Sequence, residues 1–102
     1  MSLNALDPNE IIFALKDLPN WKLDEEGTKL ICEIKFQDFR EAIGFIVRIA
    51  FECEDQDHHP EIYNVYNTVK LGLTTHDAGN FVTDKDLQLA RKVDELIVGA
   101  SY

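Results

Sequence analysis

Between residues 39 and 55 the chain has a helical pattern with more apolar surface than one packing partner can cover. At 100° per residue, its apolar positions run from Phe45 and Ile49 through Phe39 and Ile43 to Val47 and Phe51. They span an arc of roughly 240°, leaving mainly Glu41, Arg48 and Glu52 as the polar remainder. Covering one sheet takes about half of that arc. A monomer would leave the rest wet, so the pattern predicts a homo-oligomer, dimer or tetramer, assembled through this central helix.

The flanking segments supply the sheet. Asp7-Pro8-Asn9-Glu10 has a capping residue, a proline suited to the first helical position and a carboxylate at the third, so a short helix should start there and end near Pro19. Residues 21–23 and 29–36 alternate around the turn Asp24-Glu25-Glu26-Gly27, with Leu30, Cys32, Ile34 and Phe36 on one face. Asp38 with Glu41 resembles a second capping box at the start of the long helix. Residues 62–66 and 68–75 read as another strand pair around Asn67. Val69, Leu71 and Leu73 face one way; Lys70, Gly72, Thr74 and His76 face the other. Thr83 with Asp86 starts a last helix, with Leu89, Val93, Leu96 and Ile97 facing inward. The order α-β-β-α-β-β-α predicts an α+β fold, a four-stranded antiparallel sheet with three helices on one face.

A length of 102 residues with 45% hydrophobic content suits a single domain over residues 1–102. The formal net charge of -9 repels a phosphate backbone, which argues against direct nucleic-acid binding. No apolar run is long enough for a membrane span, and residues 1–9 do not resemble a signal peptide, so the expected location is cytoplasmic. Cys32 and Cys53 are far apart in sequence among apolar neighbours, as buried thiols would be.

All three histidines fall between His58 and His76. Imidazole has an unperturbed pKa of about 6.5, so it can both take up and release a proton near neutrality. Pro60 holds His59 extended in an expected helix-to-strand loop, and strand alternation puts His76 where such a loop can reach it. Three readings are open: solvated surface histidines, a zinc site, or one acid-base pocket. Adjacent histidines point in different directions and rarely ligate one ion, so no metal is expected. Glu54, one helical turn before His58 among apolar positions, can orient a histidine or bond to backbone. Asp86 is equally explained as a capping residue, and Tyr66 and Trp21 as core aromatics with a polar tip.

Glu54, His58-His59-Pro60, Tyr66, His76 and Asp86, at these spacings, resemble the signature of the pterin-4a-carbinolamine dehydratases. The resemblance covers residues 6–97, including Trp21, Ala42-Ile43-Gly44-Phe45 and Thr75-His76-Asp77-Ala78-Gly79. It implies the fold inferred above, assembly as dimers or tetramers, and dehydration of 4a-hydroxytetrahydropterin to quinonoid dihydropterin, which recycles tetrahydrobiopterin without metal or organic cofactor. It further implies His58, His59 and His76 as catalytic, Asp57, Thr74, Thr75 and Asp77 as lining the pterin, and Glu54 and Asp86 as the acidic positions that orient histidine and loop.

Two departures stand out. Ile62 replaces a tryptophan common after His-His-Pro-Glu, which thins the expected aromatic wall. The loop Gly79-Asn80-Phe81-Val82-Thr83 is one residue longer than the usual run, which could displace Asp86 relative to His76. Two rival functions fit the same sequence: a non-catalytic dimerisation or transcriptional coactivator module, and an enzyme acting on another pterin, as in molybdopterin metabolism.

Overall fold

The computed structural model describes residues 4–100; residues 1–3 and 101–102 of the expected domain lie outside the described residues. The elements run α1 (Pro8–Leu15), β1 (Trp21–Leu23), β2 (Leu30–Lys35), α2 (Phe39–Gln56), β3 (Glu61–Val65), β4 (Thr68–Leu73) and α3 (Asp84–Ala100), with one turn of 3-10 helix at His76–Ala78 before α3. This is the expected α+β order. The four strands form one antiparallel sheet in the order β1-β2-β4-β3.

The local signals act as anticipated at both early helix starts. Asp7 accepts from the N–H groups of Asn9 and Glu10 while Glu10 bonds back to the Asp7 N–H, a complete capping box with Pro8 in the first turn. At α2, Asp38 accepts from Glu41 N–H, but the Glu41 carboxylate takes the N–H of Gln37 instead of that of Asp38, so this box is shifted by one residue. Gly27 closes the β1–β2 turn at φ 74, a region open to glycine at little cost.

One face of the sheet and one stripe of each helix make the core. Leu30 and Cys32 of β2 and Val69, Leu71 and Leu73 of β4 pack with Ala42, Phe45, Ile49 and Cys53 of α2 and Leu89, Ala90 and Val93 of α3. Each large side chain buried there contributes about 1.5–3 kcal/mol of transfer free energy. Burial pushes the Cys32 thiol up to about 12, with the nearby Asp94 charge adding to the effect, and moves Cys53 in the same direction. Trp21 is buried as expected, its indole N–H donating to Asp94 Oδ1 at 3.0 Å.

The sequence expectation fails at Tyr66. The residue lies outside β3, in the turn to β4, at φ 51 and 63% exposed, so it is not a core aromatic. A two-residue hairpin needs an unusual backbone there, since Val65 pairs with Thr68 and only Tyr66-Asn67 remain to reverse the chain. β4 also ends at Leu73, two residues early, because Thr74 and Thr75 turn toward other partners.

The apolar arc of α2 divides in two. Ala42, Phe45, Ile49 and Cys53 are buried, whereas Phe39, Ile43, Val47 and Phe51 form a second, exposed face. Among the described residues no helix is long and apolar enough to cross a membrane.

Candidate active site

The histidine pair owes its placement to the way α2 ends. Asp57 adopts φ 51 and ψ 46, the left-handed conformation usually given to glycine at this point. His58 N–H then reaches back to Cys53 O at 3.0 Å and Asp57 N–H to Glu54 O at 3.3 Å, the paired bonds that finish a helix. After this reversal His58 is buried and His59 is exposed.

His58 Nε2 lies 2.5 Å from Asp86 Oδ1. Asp86 belongs to the first turn of α3 and is fully buried; its Oδ2 accepts from Thr83 N–H at 2.9 Å and from the Thr75 hydroxyl at 2.8 Å. The capping role expected of Asp86 and a bond to histidine are thus combined in one carboxylate. Its engagement with both the His58 loop and Thr75 shows that the long 79–83 loop has not detached it from the strand end that carries His76.

His59 Nε2 lies 2.6 Å from Glu54 Oε2. Glu54 does hydrogen-bond a histidine, but it is His59 rather than His58, and its side chain is exposed at 77% instead of nested among apolar groups. The exposed face of α2 is why: Glu54 lies on that unpacked side of the helix. An exposed pair of this kind adds little to stability.

His76 is exposed at the tip beyond β4, its Nδ1 3.3 Å from Asn80 Oδ1. Asn80 holds φ 65, and its place in the 79–83 loop is all that the sequence pattern marks. The enrichment of asparagine at positive φ could have marked the turn, but not the contact with histidine. Asp57 and Asp77 are exposed; Thr74 is half-buried with its hydroxyl on Thr28 O at 2.8 Å, and Thr75 is buried at 3% exposure.

Each ring therefore has one nitrogen engaged: Nε2 of His58 and of His59 on carboxylates, Nδ1 of His76 on an amide oxygen. No fully buried side-chain nitrogen or oxygen among the described residues lacks a partner, so the other nitrogen of His58 reaches the surface. Among the described residues no group of three or more His, Cys, Asp or Glu side chains is arranged to hold a metal ion.

The fold and these residues define an α+β protein in which two of the three histidines are hydrogen-bonded to carboxylates and the third to an asparagine. Residues 4–96 match the family model described as Pterin 4 alpha carbinolamine dehydratase, and the chain belongs to that family. A relative from Rhodopseudomonas palustris is 47% identical over 83 residues, 81% of each chain. One from Novosphingobium aromaticivorans is 42% identical over 97 residues, 95% of this chain and 100% of the relative; both carry the provisional name pterin-4-alpha-carbinolamine dehydratase. A crystal structure of a transcriptional coactivator/pterin dehydratase from Brucella melitensis superposes with a TM-score of 0.86 at 38% identity, covering 91% of this chain and 98% of that one.

Proposed function

We propose that the protein dehydrates 4a-hydroxytetrahydropterin to quinonoid dihydropterin by histidine acid-base catalysis. The observation that carries the reading is the set of three imidazoles, each held by a fixed partner at one ring nitrogen with the other left for proton exchange.

The reaction breaks the C4a–O bond. The departing hydroxyl takes a proton and leaves as water, while a ring nitrogen of the pterin gives one up, so substrate becomes product plus water with no net change in protons. Groups with pKa values near ambient pH serve both transfers, each worth about 10²–10⁴-fold. His59 and His76, the exposed pair, flank the reacting edge; His58, buried against Asp86, assists from behind. Asp57 and Asp77, exposed beside these histidines in sequence, offer carboxylates to the pterin's N–H groups.

The test is the decay of 4a-hydroxypterin absorbance on adding the protein. Acceleration proportional to protein concentration is the expected result, and an unchanged decay rate overturns the reading. The exposed apolar face of α2 and the likeness to the Brucella melitensis transcriptional coactivator/pterin dehydratase favour a second, compatible role in assembly: a homodimer or homotetramer formed through α2, able to act as a coactivator module. An adaptor of that kind without catalysis would leave the absorbance decay untouched.

A further inference from the structure

Around Asp86 the direction of the hydrogen bonds follows from valence alone. Its Oδ2 accepts from the Thr75 hydroxyl at 2.8 Å, and a hydroxyl has one proton to give. Thr75 having spent its proton there, the 2.7 Å contact between Thr75 Oγ1 and Thr83 Oγ1 requires Thr83 to donate. Thr83 Oγ1 in turn accepts from Lys85 N–H at 3.2 Å. The bonds therefore run one way, from Lys85 N–H to Thr83, from Thr83 to Thr75 and from Thr75 to Asp86. An ionised Asp86, with two donors on Oδ2, faces His58 Nε2 as an acceptor through Oδ1, an arrangement that puts the hydrogen on Nε2 and leaves Nδ1 to exchange a proton.

We infer that Thr75 is a positioning residue for the dehydration proposed above, acting through Asp86 to hold His58 in its Nε2–H form. Its hydroxyl is committed to this chain of bonds and not to the pterin. The same residue also anchors the segment that carries His76. Thr75 N–H donates to Phe81 O at 3.0 Å, and its carbonyl accepts from Ala78 N–H at 3.1 Å and Asn80 N–H at 3.0 Å. Residue 75 thus touches both halves of the proposed site, the buried histidine's carboxylate through its hydroxyl and the turn behind the exposed histidine through its backbone.

The kinetic consequence rests on the dehydratase reading; the ring form does not. The test compares Thr75→Val, which keeps the shape without the hydroxyl, with Thr75→Ser, which keeps the hydroxyl. The two readouts are the ring ¹⁵N shifts of His58 and the kcat and KM for 4a-hydroxytetrahydropterin. In the unmodified protein His58 is expected as Nε2–H alone. Thr75→Val should leave the Asp86 carboxylate free to turn, which loosens the Nε2–H···Oδ1 bond, moves the His58 Nε2 shift and lowers kcat about tenfold, the effect of one lost hydrogen bond to a charged group. KM should move by less than about twofold, because a positioning residue adds little uniform binding. Thr75→Ser should restore both readouts.

An Nδ1–H ring in the unmodified protein, a valine variant indistinguishable from it, or a serine variant that behaves like valine overturns the inference. Should Thr75→Val fail to fold, Thr83→Val takes its place with the same expectations, since it removes the donor that orients Thr75. If the unmodified protein does not turn over the carbinolamine, the dehydratase reading falls while the ¹⁵N measurement still decides the role of Thr75.

Discussion

Asp86 Oδ1 and His58 Nε2 meet at 2.5 Å, tying the first turn of α3 to the loop that leaves α2. The carboxylate is fully buried, and its two oxygens face three donors. Asparagine at this position can offer one oxygen only, and its amide must turn N–H groups toward donors already there. Asp86→Asn is therefore expected to cost about 2–4 kcal/mol, the range for removing one side of a buried, hydrogen-bonded pair. Urea unfolding followed by circular dichroism checks this, and an unchanged midpoint would mean that the contact holds nothing together.

Asp57 bears a backbone conformation that glycine adopts more easily, and its side chain makes no hydrogen bond among the described residues that would explain its retention. Strain of this kind, at a position proposed to line the pterin, is expected to trade stability for activity. Asp57→Gly should raise stability by about 0.5 kcal/mol, the relief at the helix end outweighing the added freedom of the unfolded chain. It should at the same time raise KM for the pterin. Thermal melts and steady-state kinetics on the same preparation test the pairing; a stabilised variant with unchanged KM would remove Asp57 from the binding surface.

The fold was legible in the sequence wherever the decisive interaction was local. Asp7 with Glu10 and Thr83 with Asp86 announce their helices within a single turn, and the alternation of Val69, Leu71 and Leu73 identifies the buried face of β4. Site residues that depend on a reversal of backbone hand were not legible. Helical spacing matched Glu54 to His58, but the left-handed Asp57 breaks that spacing and brings His59 to the carboxylate instead. The same holds for Tyr66 and for Asn80, both at positive φ. The inward turn of the Thr75 hydroxyl depends on α3 arriving from a distant stretch of chain, and no local pattern records that.

His76 is exposed, and its only side-chain hydrogen bond among the described residues is to Asn80, so its removal should not disturb the core. His76→Ala is expected to change stability by less than about 0.5 kcal/mol. Turnover of the carbinolamine should fall by about 10²-fold or more, the loss of one positioned proton-transfer group. Undiminished turnover would take His76 out of the reaction.

The buried thiol of Cys32 makes stability depend on pH in the alkaline range. Its folded pKa is raised to about 12 from an ordinary 9.0, chiefly by loss of solvation and secondarily by Asp94. The neutral form is thus the one the folded state favours. This contribution is fully present below pH 9 and is lost as pH rises toward 12, because the unfolded chain releases the thiol proton first. The limiting slope is about 1.4 kcal/mol per pH unit for one such group. Urea unfolding at several pH values above 9 should show the decline, and Cys32→Ala should lose one proton's worth of it; identical slopes would place the effect elsewhere.

Val47 at 52% and Phe51 at 72% exposure stand on the side of α2 that the sheet does not cover, where a continuous apolar surface in water favours association. If two copies pack through this face, a carboxylate at Val47 is desolvated without a partner, at a cost of about 2–5 kcal/mol to the assembly. The monomer loses nothing comparable, because the position is already exposed. Val47→Asp should therefore sediment as a monomer with an unchanged helical circular dichroism spectrum. Arg48→Glu, placed on the polar side of the same helix, should leave the assembly intact. Loss of assembly in both variants would point to net charge instead of the apolar face, and retention of assembly by Val47→Asp would move the interface away from α2.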